Sequence, residues 1–126
     1  MKRIVLAALL AFSCQAMAGK WIPMYTGTVT FNETKELSVI KSSIVKSLTG
    51  RGWTIEERND DHYLAVLKLR SHVVHIRVAF EAEEVTIHYV SSNNLEKTKR
   101  GKKKVHRNYK NWVVNLERDI AAFASR

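Results

Sequence analysis

The sequence predicts a two-layer α+β domain, an antiparallel meander sheet with one helix before it and one after it, both packed on the same sheet face. Three observations predict it. Apolar residues recur at helical spacing in two segments, Thr34 to Leu48 and Val105 to Phe123. Between those segments they alternate with a period of two. The connections between the alternating runs are short and polar, which suits hairpins and excludes the crossovers of a dozen or more residues that parallel strands require.

The elements follow in chain order. From Gly19 to Phe31, Tyr25, Gly27, Val29 and Phe31 alternate with polar residues and predict one short strand. Leu37, Ile40, Ile44 and Leu48 form the buried stripe of the first helix; Asn32 or Thr34 can cap its start, and Gly50 supplies a permissive residue past its end. Trp53 and Ile55 begin a strand running towards Glu57, and Asn59-Asp60-Asp61 makes a turn. Tyr63, Ala65, Leu67 and Leu69 then alternate with Leu64, Val66 and Lys68. Past a turn at Arg70-Ser71, His72, Val74, Ile76, Val78 and Phe80 line one face, with Val73, His75, Arg77 and Ala79 on the other. Glu81 to Glu84 is a polar loop, after which Val85, Ile87 and Tyr89 oppose Thr86, His88 and Val90. In the last helix Tyr109, Trp112, Val113, Leu116, Ile120 and Phe123 continue a stripe that begins at Val105.

The chain has 126 residues, one domain's worth. With 45% hydrophobic residues, one Pro and five Gly, the composition excludes disordered, collagen-like and mucin-like chains. Residues 1–18 read as a secretory signal. Lys2 and Arg3 precede the apolar run Ile4 to Phe12, and Ala16-Met17-Ala18 is a small-x-small cleavage site before Gly19. That run is shorter than the ~20 apolar residues a membrane span needs. A periplasmic or secreted domain of residues 19–126 is therefore expected. Lipidation at Cys14 is the less favoured alternative, because Ala11-Phe12-Ser13 lacks the usual Leu and carries a bulky Phe. Cleavage after Ala18 removes the sole cysteine, so packing alone, without disulfides, must hold the fold.

Charge is divided unevenly. Residues 19–96 hold nine Lys and Arg against ten acids, net −1, whereas residues 97–126 hold ten against two, net +8. Lys97, Lys99, Arg100, Lys102, Lys103, Lys104 and Arg107 lie in one acid-free stretch broken by Gly101. Mutual repulsion predicts a mobile loop, and the same density makes these seven residues the candidate anion-binding site. The expected partners are an anionic lipid, lipopolysaccharide or an acidic protein. Nucleic acid is disfavoured, since no aromatic platform for bases lies between Leu95 and Val105.

Other chemistry is less well supported. Pairing Phe80 with Val85 places Arg77 opposite His88 and His75 opposite Val90, so His75 and His88 share the outward sheet face. Two imidazoles without a third ligand do not make a zinc site, and no metal or other cofactor is expected. His106, at the start of the last helix, is read as making a local hydrogen bond or a capping contact, with no catalytic role. The chain lacks a Gly-rich phosphate loop, a nucleophile elbow and a metalloprotease helix motif, and the adjacent acids Glu56 and Glu57 are expected on opposite strand faces. The reading is non-enzymatic. Leu64, Val66, Val73 and Val90 make the outward face greasy; either Gly19 to Phe31 covers it, or a homodimer or other partner does.

Val105-His106-x-x-Tyr109-x-x-Trp112-x-x-x-Leu116-x-x-Asp119-Ile120, with Gly52-Trp53-Thr54-Ile55 and Tyr89-Val90-Ser91-Ser92-x-Asn94-Leu95, is similar to a group of small uncharacterised bacterial envelope proteins, many of them lipoproteins. The resemblance covers about Leu48 to Ile120. It implies an exported α+β domain and brings no activity, cofactor or catalytic residue. The chain departs from the group in its poor lipidation sequence and its Lys-rich insertion, and His106 and Asp119 are read as structural members of the pattern.

Overall fold

The computed structural model describes residues 19–126. The expected leader, residues 1–18, and the lipidation alternative at Cys14 lie outside them. In order, the elements are β1 (Trp21–Pro23), β2 (Gly27–Thr30), α1 (Leu37–Gly50), β3 (Thr54–Arg58), β4 (His62–Leu69), β5 (His72–Glu81), β6 (Glu84–Ser92), β7 (Glu96–Lys99), β8 (Lys102–His106) and α2 (Arg107–Ala124). All strand pairings are antiparallel. The large sheet has the order β2-β6-β5-β4-β3 and a small one β1-β8-β7. The fold is α+β, with the expected meander at its centre.

The predicted alternation holds across that meander. Tyr63 pairs with Val78, Ala65 with Ile76 and Leu67 with Val74, while Val78 and Phe80 pair with Ile87 and Val85. Directly paired residues share a face, so these side chains form one apolar surface, all of them buried. Against it pack Ile40, Ile44 and Leu48 of α1 and Tyr109, Val113, Leu116 and Ile120 of α2, every one fully buried in a single core. Ser43 and Ser47 are also buried on α1; each hydroxyl donates one turn back, to the Val39 and Ser43 carbonyls at 2.8 and 2.7 Å, so their burial leaves no orphaned group.

Helix α1 differs from expectation at both ends. The Phe31 and Lys35 amides donate to the Glu83 and Ala82 carbonyls at the β5–β6 turn, which holds residues 31–35 against the sheet. The helix therefore starts at Leu37 rather than Thr34, with Glu36 as a cap that makes no side-chain bond; neither Asn32 nor Thr34 caps it, and Leu37 is exposed. At the other end Gly50 is the last helical residue, and the left-handed position is Gly52, at φ +87°. The Trp53 and Gly52 amides return to the Leu48 and Thr49 carbonyls, a Schellman closure that turns the chain towards β3 and buries Trp53.

The basic segment is the main correction. Residues 97–107 are not a mobile loop: they form β7, a turn, β8 and the first residue of α2. Arg100 and Gly101 have φ of +54° and +77°, both positive as a type I′ hairpin turn requires. Leu95 and Val105, fully buried, anchor the hairpin in the core. Val105 belongs to β8 and not to the helix. Repulsion between lysines is weak in water and screened, whereas a tight turn and two buried apolar residues fix the backbone.

Two bulges also break the strict alternation. In β6 the pairing steps from Ile76 with Tyr89 to His75 with Ser91, so His75 opposes Ser91 and not Val90, and Val90 is left 52% exposed. In β3 the step falls between Ile55 and Glu57. Glu57 lies opposite Leu64, and the Glu56 carboxylate reaches to 3.5 Å from His75 Nδ1, so both acids belong to the outer face instead of opposite ones.

Candidate functional site

The register of the small sheet sorts the seven basic residues. Lys97 is directly opposite Lys104, Lys99 is opposite Lys102, and Thr98 is opposite Lys103. On the other side of β8, Pro23 pairs with Lys104, Ile22 with Val105 and Trp21 with His106. Alternation then gives two faces. Val105, Ile22, Glu96, Thr98 and Lys103 share the inner one, with Val105 in the core. Lys97, Lys99, Lys102 and Lys104 share the outer one with Trp21, Pro23 and His106. Arg100 sits at the turn and Arg107 opens α2, its backbone amide bonded to the Lys20 carbonyl at 2.9 Å. The structure thus brings together four of the seven predicted residues on one face and sends Lys103, Arg100 and Arg107 elsewhere.

Lys103 is neutralised locally. Its Nζ is 3.1 Å from Glu96 Oε2, and the Tyr89 hydroxyl donates to Glu96 Oε1 at 3.1 Å. These contacts, the lysine first, hold the Glu96 carboxyl below its ordinary range. The chain Lys103–Glu96–Tyr89 ends at Ser92, whose Oγ lies 2.5 Å from the Tyr89 hydroxyl, and it ties the hairpin to β6. Among the described residues, no carboxylate lies within ion-pair distance of Lys97, Lys99, Lys102 or Lys104. Like charges directly across a strand pair are unfavourable to the fold. Lysines on the edge strand β7 have an ordinary explanation, since they discourage strand addition to an open edge. Lys102 and Lys104 do not, because β8 is the central strand of its sheet.

An aromatic residue completes the face. The Trp21 ring carries Lys97 Nζ 5.5 Å from its centroid and meets His106 edge-on at 5.3 Å. His106 accepts the Asn108 amide through Nδ1 at 3.1 Å and so caps α2, as read from the sequence. Burial lowers its pKa, with Lys20, His72 and Arg107 adding in the same direction. Sequence reasoning missed Trp21. It lies outside the basic stretch, and only the β1–β8 pairing carries it there.

The remaining candidates have structural partners. Asp119 receives Arg51 in two hydrogen bonds, at 2.8 and 3.2 Å, joining the end of α1 to α2. His62 lies between Asp61 Oδ1, at 2.7 Å, and Asn59 Nδ2, at 3.0 Å. Arg77 faces His88 across the outer sheet surface, as expected. Among the described residues no group of three or more His, Cys, Asp or Glu is placed to hold a metal ion. The outer surface is not covered by residues 19–31: β1 pairs with β8 and β2 extends the large sheet at its edge. Val66 is nonetheless buried there by its neighbours, at 4% exposure.

Among the described residues no helix is long and apolar enough to cross a membrane. No protein-family model matches the chain, and no curated protein is detectably similar to it.

Proposed function

We propose that the outer face of the β1-β8-β7 sheet is an electrostatic docking surface for a phosphate-bearing lipid layer, and that the protein works as an exported, non-catalytic binding module. The observation that carries this is the two directly opposed lysine pairs, Lys97 with Lys104 and Lys99 with Lys102, which have no counter-charge among the described residues. An anionic surface supplies that counter-charge, and the unfavourable pairing becomes favourable on binding. Trp21 favours a lipid layer over an acidic protein, because an indole held beside lysines on one face suits the boundary between head groups and acyl chains. Export is part of the same proposal and rests on the leader-like residues 1–18 and on the resemblance to envelope proteins.

Sedimentation with vesicles containing phosphatidylglycerol tests it. Each lysine near an anionic surface contributes about 1 kcal/mol at most, so changing Lys97, Lys99, Lys102 and Lys104 to Gln should weaken binding by roughly 10²–10³-fold in low salt. Lys103→Gln should do far less, because Glu96 already neutralises Lys103. Salt should weaken wild-type binding. Salt-insensitive binding that the fourfold variant retains overturns the proposal, as does binding to polyglutamate without binding to vesicles, which would point to an acidic protein instead.

A further inference from the structure

A second feature lies on the other side of β1 and does not depend on the lysine face. The link from β1 to β2 stands off the first turns of α2, leaving a cleft of about 460 Å³. Ile22, Pro23, Met24 and Tyr25 line it on one side, and Arg107, Lys110 and Asn111 of α2 line it on the other. The volume falls within the ~300–1,000 Å³ of small-molecule sites, and the composition, apolar walls with a few polar groups converging at one side, is also typical of them.

The walls are held in place. The Tyr25 hydroxyl donates to Glu117 Oε2 at 2.5 Å, fixing the link to α2, and Lys110 Nζ lies 5.2 Å from the Tyr25 ring centroid. Glu117, two helical turns beyond Lys110, is thus engaged by Tyr25. Among the described residues neither Arg107 nor Lys110 is within 4.0 Å of a carboxylate. Met24 at the apolar wall adapts its shape to what enters. The cleft is therefore lined by two cations without a carboxylate partner among the described residues, together with apolar side chains.

We infer that the cleft binds a single-chain amphiphile with one anionic head, its chain against Ile22, Met24 and Tyr25 and its carboxylate or phosphate at Arg107 and Lys110. Charge complementarity selects the head, and apolar burial sets the dependence on chain length. A neutral head leaves the two cations without a partner and binds more weakly. An acid with few carbons covers little of the apolar lining.

Titration calorimetry with decanoate, kept below the concentration at which it forms micelles, tests the inference on the purified protein. Decanoate should bind saturably with one site per chain, and octanoate about tenfold more weakly, since each buried methylene contributes a few-fold in affinity. Arg107→Gln with Lys110→Gln should weaken decanoate about tenfold, at exposed positions that leave the fold intact, while decanol binding stays unchanged. In the unaltered protein, decanoate should shift the Met24 methyl resonance. Decyl phosphate that binds while decanoate does not identifies the head as phosphate and leaves the assignment of the cleft standing. Loss of decanoate and decyl phosphate binding on changing Lys97, Lys99, Lys102 and Lys104 overturns the inference, because the head group would then sit on the sheet face. Absence of saturable binding by both probes, or a Met24 methyl that does not move on saturation with the probe that binds, overturns it as well.

Discussion

His106 joins a strand to a helix, and its protonation matters to both. It ends β8, caps α2 through Nδ1 and packs against Trp21. A proton on Nδ1 removes the acceptor and adds a cation at a partly buried position beside Lys20, His72 and Arg107; burial first, and then these groups, hold its pKa below the ordinary 6.5. Above 6.5 both folded and unfolded chains carry it neutral. As the pH falls from 6.5 to the lower folded value, the unfolded chain takes up the proton first, so stability is lost across that interval. Urea midpoints should accordingly fall on acidification below about pH 6.5, and His106→Asn, which keeps a cap but does not titrate, should flatten that part of the profile. The Asp61 and Glu96 carboxyls, both held low, account for losses only in more acidic solution. Gly27 is the other decisive single residue. A Cβ there would stand 2.5 Å from Val113 Cγ1 and 3.0 Å from Glu117 Oε2, so β2 approaches α2 as closely as it does only because the side chain is absent. Gly27→Ala should destabilise by about 1–3 kcal/mol, read as a lower midpoint with an unchanged denaturant slope.

At the scale of elements, the β7–β8 hairpin shows how a highly charged segment is held. The opposed pairs Lys97 with Lys104 and Lys99 with Lys102 do not hold it; the Arg100-Gly101 turn, the buried Leu95 and Val105, and the Lys103–Glu96–Tyr89 chain do. Glu96→Gln removes the ion pair and weakens the acceptor for Tyr89. Amide exchange at Lys97 and Lys104, a hydrogen-bonded pair of the hairpin, should then speed up while exchange in β5 stays unchanged; equal acceleration in both would show that the hairpin and the large sheet open as one unit. Tyr109, in the first turns of α2, is fully buried with its ring edge-on to Tyr89 at 5.3 Å, and burial raises its pKa. Tyr25 likewise is pushed up to about 12, by burial first and then by its bond to Glu117. Neither phenol ionises near neutrality, so the stability of these elements should not depend on them in that range.

For the whole molecule, the division of charge gives the protein a direction. Residues 19–96 are net −1 and residues 97–126 net +8, and the small sheet displays four of the latter's charges on one face. Electrostatic attraction would turn that face towards an anionic layer before contact, and the vesicle binding expected above should be steeply salt-dependent for this reason. The cleft beside β1 adjoins the same face through Pro23, which pairs with Lys104 and also lines the cleft. A protein lying with the small sheet against a lipid layer would thus hold its apolar cleft close to the source of single-chain amphiphiles.

Much of this fold was legible in the sequence. The two helical stripes and the central alternation are local patterns, and the burial of Ile76, Val78, Ile87, Leu116 and Ile120 follows directly from them. The capping role of His106 was legible for the same reason, since a cap acts within a few residues of itself. The start of α1 at Leu37, the register steps at Val90 and Glu56, and the ordering of the lysines were not. Each depends on a partner remote in the chain: the β5–β6 turn for residues 31–35, a neighbouring strand for each bulge, and β1 for the hairpin. Composition alone therefore determined that residues 97–107 are cationic. Only tertiary pairing decided which of those cations share a surface, because the side of a strand on which a lysine emerges is set by hydrogen-bond register, and register is fixed by turns and buried neighbours rather than by charge.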